Sequence, residues 1–274
     1  MNDQGRMQYG QINVSVANLY LQSQYRSEVV SQALLGEKCT VVQSDRNFSK
    51  IVLEDGYEGW LSDYQWVKSS EGIHNTDRVR ARVRARVRAH FIQLFEKPDF
   101  LSRPVRDAVI GTQLNILAEE QEWFRVLLPD GKTGYAAQRG FGPFPAVSRA
   151  AIGELAFEFY GYPYQWGGRS PKGFDCSGFV QTVFALLNIK LPRDAWMQHR
   201  DTVPVGNDPQ RAEIGDLCFF AEQPGKISHV GIALGDGKII HARGMVGVNS
   251  LYKGAAEFRQ DLADTFVEVR TCFR

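Results

Sequence analysis

Gly173-Phe174-Asp175-Cys176-Ser177-Gly178-Phe179-Val180 is the stretch on which the reading of this chain turns. Apolar residues at Phe179, Val180, Val183, Phe184 and Leu187 recur at helical spacing, which makes Asp175 the N-cap and puts Cys176 in the first turn. Unpaired backbone N–H groups and the positive end of the helix dipole favour a thiolate there. Such a setting draws a cysteine from its free pKa of about 8.5 toward neutrality. The same N–H groups can hold a developing oxyanion. A cysteine at a helix start is more often a small buried hydrophobe, so the stretch needs partners before it means chemistry.

Two histidines supply them. Ser228-His229-Val230-Gly231-Ile232-Ala233-Leu234 and Lys238-Ile239-Ile240-His241-Ala242 are apolar strands joined by Gly235-Asp236-Gly237, a hairpin signal. A two-residue loop at Asp236-Gly237 pairs Leu234 with Ile239 and sends the rings to opposite faces. A three-residue loop pairs Leu234 with Lys238 and Gly231 with His241, returning both rings to one face. Chemistry requires the second arrangement, with Gly237 left-handed. His229 then takes the cysteine proton while His241 orients its ring, the logic of nucleophile, base and orienter.

These motifs resemble the NlpC/P60 superfamily of bacterial cell-wall cysteine peptidases. In that superfamily Asp-Cys-Ser-Gly-Phe at a helix start precedes His-Val-Gly-Ile and a second His twelve positions on. Tyr164-Gln165-Trp166-Gly167-Gly168, with its Tyr twelve residues before the cysteine, and Leu191-Pro192-Arg193-Asp194 complete the ordered set. The resemblance covers residues ~148 to 274 and implies a papain-like α+β domain. It makes Cys176 the nucleophile, His229 the base, His241 the orienting residue and Tyr164 a hydroxyl on the oxyanion side. The implied reaction is acyl-enzyme hydrolysis of an amide with neither metal nor organic cofactor.

Upstream, the chain reads as short strands broken by Gly, Asn and Asp, with Glu28 to Leu35 the one stretch whose pattern also admits a helix. One pattern occurs twice. Its first copy runs through Gly36–Val42, Phe48–Leu53 and Gly56-Tyr57-Glu58-Gly59-Trp60-Leu61. Its second runs through Gly111–Leu117, Trp123–Leu128 and Asp130-Gly131-Lys132-Thr133-Gly134-Tyr135. The segments are similar to bacterial SH3-like domains, so two small β-barrels are expected ahead of the α+β domain. Gly142-Pro143-Phe144-Pro145 is the linker. The expected boundaries are 1–74, 75–146 and 147–274.

That architecture resembles γ-D-glutamyl-L-diamino acid endopeptidases, which cut murein stem peptides between D-Glu and the diamino acid, diaminopimelate or Lys. Those enzymes prefer a free N-terminal L-Ala, whose amine is held by an acid beside the nucleophile and by a Tyr and an acid of the first SH3-like domain. The resemblance implies that Asp175, Ser177, Tyr57 and Glu28 contact substrate. A buried carboxylate pair with a phenol rewards an ammonium and rejects a capped alanine. One departure is Ala195, where relatives carry Ser. Three other readings stay open: a secreted hydrolase of intact peptidoglycan, a wall-binding protein without catalysis, and acyl transfer by a thiol enzyme of similar fold.

Composition sets outer bounds. The 274 residues carry 32 Lys and Arg against 31 Asp and Glu, so no global charge draws the chain to nucleic acid or an anionic membrane. From Arg78 to Ala89, Arg alternates with Val or Ala, the period of a strand with Val79, Val83 and Val87 inward and the arginines outward. With no second basic cluster, a solvated strand face is favoured over a DNA-binding arm. No apolar run approaches the roughly 20 residues of a membrane span. Four scattered cysteines make no disulfide framework and no zinc-ligand pairs. No signal peptide is visible. The expectation is a cytoplasmic monomer, or a periplasmic or extracellular one if a leader has been removed, whose partner is a murein peptide.

Overall fold

Short period-two segments in the N-terminal half form two antiparallel sheets built to one plan. In the computed structural model, which describes residues 8–69 and 83–273, the chain divides into two compact units, Met1–Pro143 and Phe144–Arg274. The N-terminal unit opens with β1 (Gln8–Ile12), β2 (Val16–Tyr20), β3 (Val29–Leu34), β4 (Lys38–Asp45), β5 (Phe48–Leu53), β6 (Glu58–Ser62) and β7 (Trp66–Ser69). They hydrogen-bond in the order β3-β2-β6-β5-β4-β1-β7. The second set is β8 (Val83–Arg86), β9 (Phe91–Phe95), β10 (Pro104–Val109), β11 (Gln113–Glu120), β12 (Trp123–Leu127) and β13 (Thr133–Ala137), in the order β10-β9-β13-β12-β11-β8.

Strand for strand, the second order repeats the first without β7. Even β7 leaves a trace, because an isolated bridge from Val87 to Phe141 matches the Ile12–Trp66 pair. The turns repeat as well. Left-handed residues fall at Gly36 and Gly111, at Arg46 and Gln121, and at Gly56 and Gly131, each pair 75 residues apart. Inward-facing Ile12, Leu19, Ile51 and Leu61 fill one core. Leu94, Leu114, Val126 and Ala136 fill the other, to which Leu35 of the first repeat also contributes.

Two expectations need correction here. The stretch Glu28 to Leu35 holds strand β3 (Val29–Leu34), not a helix, because Ser31, Gln32 and Ala33 are buried in the ladder with β2. Tertiary pairing overrides a weak local pattern. Of the arginine ladder, residues up to Arg82 lie outside the described residues. In the rest Val87 is fully buried, but Val83, the first described residue, is 60 % exposed. Arg86 is half-buried, donates to the Gly111 carbonyl at 3.4 Å, and has its pKa lowered by that burial. The strand therefore presents a less uniform face than its alternation promises.

The C-terminal unit begins with α1 (Arg149–Glu158), capped by Ser148, whose hydroxyl accepts from the Ala151 N–H at 3.1 Å. A short ribbon, β14 (Arg169–Ser170) with β15 (Gly173–Phe174), leads into α2 (Cys176–Leu186) and α3 (Ala195–Asp201). There follow β16 (Val203–Gly206), β17 (Leu217–Phe220), β18 (His229–Gly235), β19 (Lys238–Arg243), β20 (Met245–Ser250), α4 (Gln260–Thr265) and β21 (Phe266–Thr271). The sheet order is β16-β21-β17-β18-β19-β20, antiparallel throughout. Helix α2 lies against β18 and β19, because Phe179, Val180, Val183 and Phe184 make one fully buried stripe. Cys218 of β17 is fully buried core. Two barrels followed by a helix-on-sheet α+β domain is the architecture expected.

Candidate active site

The site grows from the start of α2. Asp175 is the N-cap, and its Oδ1 accepts from the Gly178 N–H at 2.7 Å while Oδ2 accepts from the Gly167 N–H at 3.0 Å. The buried guanidinium of Arg193 then grips both oxygens, Nη1 at 3.0 Å from Oδ1 and Nη2 at 2.5 Å from Oδ2. Nη1 also donates to the Ser177 hydroxyl at 3.0 Å. The segment that carries Arg193 is itself tied down. Gln181 donates to the Leu191 carbonyl at 3.1 Å, and Gln198 to those of Pro192 and Ser177 at 2.9 and 3.0 Å. Three sequence motifs thus meet at one helix terminus.

The glycines of those motifs have a steric reason. A Cβ on Gly178 would lie 2.1 Å from the Gly168 carbonyl oxygen, and one on Gly168 would lie 2.2 Å from that of Gly173. Only backbone-to-backbone packing this close lets the Tyr164–Gly168 segment lie on the first turn of α2. Its alignment is fixed by Gln165 N–H to the Phe174 carbonyl at 2.9 Å and Asp175 N–H to the Gly168 carbonyl at 3.0 Å. Tyr164 is thereby brought to the side of Cys176, where burial and the charge of a Cys176 thiolate raise its phenol to about 12.

Cys176 is 8 % exposed, and the backbone amides of Val230 and Ser177 donate toward its sulfur. Val230 follows His229 directly, so the thiol rests on the strand that carries the candidate base. Burial, reinforced by Asp175, pushes the thiol up to about 12, while the two amides and Arg193 act in the other direction. The expected pull toward neutrality is therefore outweighed. Desolvation of a thiolate in this packed terminus exceeds what the helix end returns.

His229 and His241 share one face. Nε2 of His229 lies 2.7 Å from Nδ1 of His241, with the rings edge to face. The register behind this differs in its means from the expected one. Ile232 pairs with Ile240 and Ala233 with Ile239, as a three-residue loop requires, but Gly235 pairs with Lys238. The turn is the two residues Asp236 and Gly237, both left-handed at φ +51 and +71, and a bulge between Ala233 and Gly235 restores the phase. Gly231 faces His241, where a Cβ would come within 3.1 Å of the His241 Cβ.

Burial is the first cause lowering both imidazoles, His229 to about 3, with His241 and Arg243 adding to it. His241 is 2 % exposed, and its Nε2 lies 2.9 Å from Oδ1 of Asn249 on β20. Asn249 belongs to no motif and is missed by sequence reasoning. Its only sequence signal is its place on a strand following the second histidine.

The two remaining candidates lie in the N-terminal unit. Tyr57, in the turn before β6, donates its hydroxyl to the Val30 carbonyl at 3.3 Å. Glu28, two residues before Val30, is exposed, and its carbonyl accepts from the Leu21 N–H at 2.9 Å. The two therefore share one end of the first barrel. Among the described residues, no cluster of His, Cys, Asp or Glu is arranged to hold a metal ion. No described helix is long and apolar enough to cross a membrane.

Residues 161–263 match the NlpC/P60 family. A γ-D-glutamyl-L-lysine dipeptidyl-peptidase of Bacillus cereus is 32 % identical over 79 % of this chain and 68 % of its own. The chain belongs to the NlpC/P60 family. The enzyme of the same name from Bacillus subtilis is 30 % identical over 78 % of this chain and 72 % of its own. Residues 19–65, in the first barrel, match the family described as the bacterial dipeptidyl-peptidase SH3 domain. The fold agrees with the crystal structure of an NlpC/P60 family protein from Bacillus cereus, at a TM-score of 0.81 and 24 % identity over 96 % of this chain and 98 % of that one. The NlpC/P60 segment contains every candidate residue of the helix terminus and both histidines.

Proposed function

We propose that this chain is a cysteine peptidase that hydrolyses the γ-D-glutamyl-L-diamino acid bond of murein stem peptides bearing a free N-terminal L-Ala. The observation that carries the reading is the 2.7 Å contact of His241 with His229, which stands on the strand against which the Cys176 thiol rests. It is supported by relatives named dipeptidyl-peptidases that align with most of the chain, SH3 region included. A dipeptidyl-peptidase measures two residues from a free amine. In a stem peptide those are L-Ala and the γ-linked D-Glu.

In this reading Cys176 Sγ attacks the γ-carbonyl of D-Glu as its proton passes to Nδ1 of His229, the ring nitrogen that His241 leaves open. The oxyanion forms beside the N–H groups of the α2 terminus and the Tyr164 hydroxyl. His229 returns the proton to the departing diamino-acid nitrogen, leaving L-Ala-γ-D-Glu as a thioester on Cys176. Water, deprotonated by His229, completes hydrolysis. Asp175 and Ser177 act at the nucleophile's flank. The Asp175 carboxylate, assigned to the substrate amine by the resemblance alone, is already held by Arg193 and also fixes the helix start. Tyr57 and Glu28 are proposed as substrate contacts of the first barrel.

Intact murein carries its L-Ala nitrogen in an amide to muramic acid, so a free amine exists only on peptides already cut from glycan. We therefore assign the chain to the recycling of released peptides in the cytoplasm, acting as a monomer. The test is mass spectrometry of L-Ala-γ-D-Glu-diaminopimelate and its lysine counterpart, each free and N-acetylated, with wild type and Cys176→Ala. Cleavage of the free peptides alone, lost in the variant, is expected. Equal cleavage of acetylated peptide, or release from intact sacculi, would replace recycling with wall remodelling. No cleavage of any form would leave a binding role.

A further inference from the structure

The histidine pair solves an orientation problem that two imidazoles cannot solve alone. A neutral imidazole has one N–H donor and one bare acceptor nitrogen. In a two-ring contact either ring can donate, and only one choice leaves His229 able to act as a base. If His241 Nδ1 carried the hydrogen, it would donate to His229 Nε2. His229 would then hold its own hydrogen on Nδ1, facing the thiol with a donor. The choice must be made behind His241.

Asn249 makes it. Its Nδ2 lies 3.5 Å from the Glu257 carbonyl oxygen. A backbone carbonyl only accepts, so the amide's NH2 end faces Glu257 and Oδ1 faces His241 at 2.9 Å. Oδ1 only accepts as well, which obliges His241 Nε2 to carry a hydrogen and leaves Nδ1 bare. His229 Nε2–H then donates across the 2.7 Å contact, and His229 Nδ1 is bare for the Cys176 proton. The strand register holds the arrangement: His241 pairs with Gly247 and Ile239 with Asn249 across β19 and β20. The Glu257 carbonyl is in turn anchored by the Ser250 N–H at 2.8 Å.

We propose that Asn249 is the positioning residue that sets the tautomers of His241 and His229, and that its being an amide rather than a carboxylate keeps His241 neutral. The groups around His241 agree with that role. Burial first, then Arg243 on its own strand and Arg259 before α4, disfavour an imidazolium, while the Asn249 oxygen and Asp261 of α4 favour one. Asp261 is drawn off by both arginines, at 2.7 Å from Arg243 and 2.9 Å from Arg259. Helix α2 presents only the Cys176 thiol as a titratable group, β18 presents His229, and Tyr164 approaches through its N–H to the Gly244 carbonyl at 2.8 Å. Glu257 turns its carboxylate to Lys238. A carboxylate at 249 would pair with His241, charge it, and put a hydrogen on Nδ1 that reverses the relay.

The inference rests on His229 acting as the base but can be read without substrate. In the full chain with 15N-labelled histidine, NMR at neutral pH is expected to show hydrogens on Nε2 of both His229 and His241 and bare Nδ1 nitrogens. Asn249→Asp is expected to protonate His241 and move the hydrogen of His229 to Nδ1. With the murein peptide, Asn249→Leu should lower kcat about 10–100-fold with little change in KM, the usual scale for losing such a support. Asn249→Asp should move the acid limb of activity upward and regain rate as pH rises, which lost packing does not do. A wild-type His241 with its hydrogen on Nδ1 overturns the proposal. So does an Asn249→Asp spectrum and pH profile like wild type, or an Asn249→Leu loss confined to KM. If the peptide is not cleaved at all, the spectra still decide the tautomers, so failure of the functional assignment is told apart from failure of this one.

Discussion

Arg193 and Asp175 meet at two points, Nη1 to Oδ1 at 3.0 Å and Nη2 to Oδ2 at 2.5 Å, with the guanidinium side chain 1 % exposed. Each carboxylate oxygen has a second duty, Oδ1 at the Gly178 N–H that starts α2 and Oδ2 at the Gly167 N–H of the tyrosine segment. The pair therefore aligns the helix carrying Cys176 with the segment carrying Tyr164. A planar fork is suited to this, because it holds a carboxylate in one plane as well as neutralising it.

Arg193→Met should consequently be costly, since it strands a buried carboxylate. A loss on the order of 3–5 kcal/mol is expected, read as a lower urea midpoint of the C-terminal unit. Arg193→Lys keeps the charge without the fork and should lose less stability but much of the activity. Adding Asp175→Asn to Arg193→Met should recover part of the stability. Wild-type unfolding of Arg193→Met would mean that the pair does not organise this terminus.

The directions of the two catalytic-site shifts predict how the resting site titrates. With the thiol pushed up to about 12 and His229 brought down to about 3, the free enzyme holds a thiol beside a neutral imidazole rather than an ion pair. Alkylation of Cys176 by iodoacetamide should keep accelerating above pH 9 and show no inflection between about pH 4 and 7. A plateau beginning near pH 5 would establish a preformed thiolate instead. Stability follows the histidine. Its folded value lies below the ordinary 6.5, so between about 3 and 6.5 the unfolded chain binds more protons. That part of the stability is present above pH 6.5 and is lost as pH falls through the window.

The sequence carried the site's parts better than their environment. The candidates Cys176, Tyr164, His229 and His241 stand out because chemistry fixes residue type and spacing, and the barrels because turn glycines recur. Three things were not. The bulge at Leu234 is a backbone adjustment that alternation cannot encode, though its effect, two rings on one face, follows from requiring chemistry. The thiol's upward shift depends on how tightly β18 and the glycine segment close over α2, which no local pattern reports. Asn249 sits opposite Ile239 by sheet register alone, and a lone Asn in a strand has no signature. Val83 shows the converse error, a perfect alternation in which the first described valine faces solvent on a strand at the end of the sheet order.

Close approach makes a sharp test of the glycines. Gly178→Ala would drive a methyl to 2.1 Å from the Gly168 oxygen, and both sides of that contact are backbone. The variant should lose activity and melt well below wild type, with the loss in the C-terminal unit. Gly247→Ala is the matched control, because a Cβ there meets nothing within 4 Å. It should stay within about 0.5 kcal/mol of wild type. Equal melting of the two variants would show that the glycine segment can draw back from α2, and the steric account of the motif would fail.

The twin barrels allow a test by symmetry. Arg46 and Gln121, 75 residues apart, hold left-handed conformations at φ +55 and +56, and both are exposed at the turn between paired strands. A side chain costs roughly 1–2 kcal/mol in that region, while glycine gives back about 0.5–1 kcal/mol in unfolded-state entropy. Arg46→Gly and Gln121→Gly should therefore each stabilise the chain by up to about 1 kcal/mol. Separate sheets should make the two effects add within about 0.5 kcal/mol. At Gly56 and Gly131, φ is +82 and +81, and a Cβ at either position would meet nothing within 4 Å, so Gly56→Ala and Gly131→Ala should each destabilise through backbone strain alone. Thermal melts of the four single variants and the double glycine variant read all of this. Opposite signs at Arg46 and Gln121 would show that the two turns, alike in backbone, are held by different side-chain contacts, and that the repeat ends at topology.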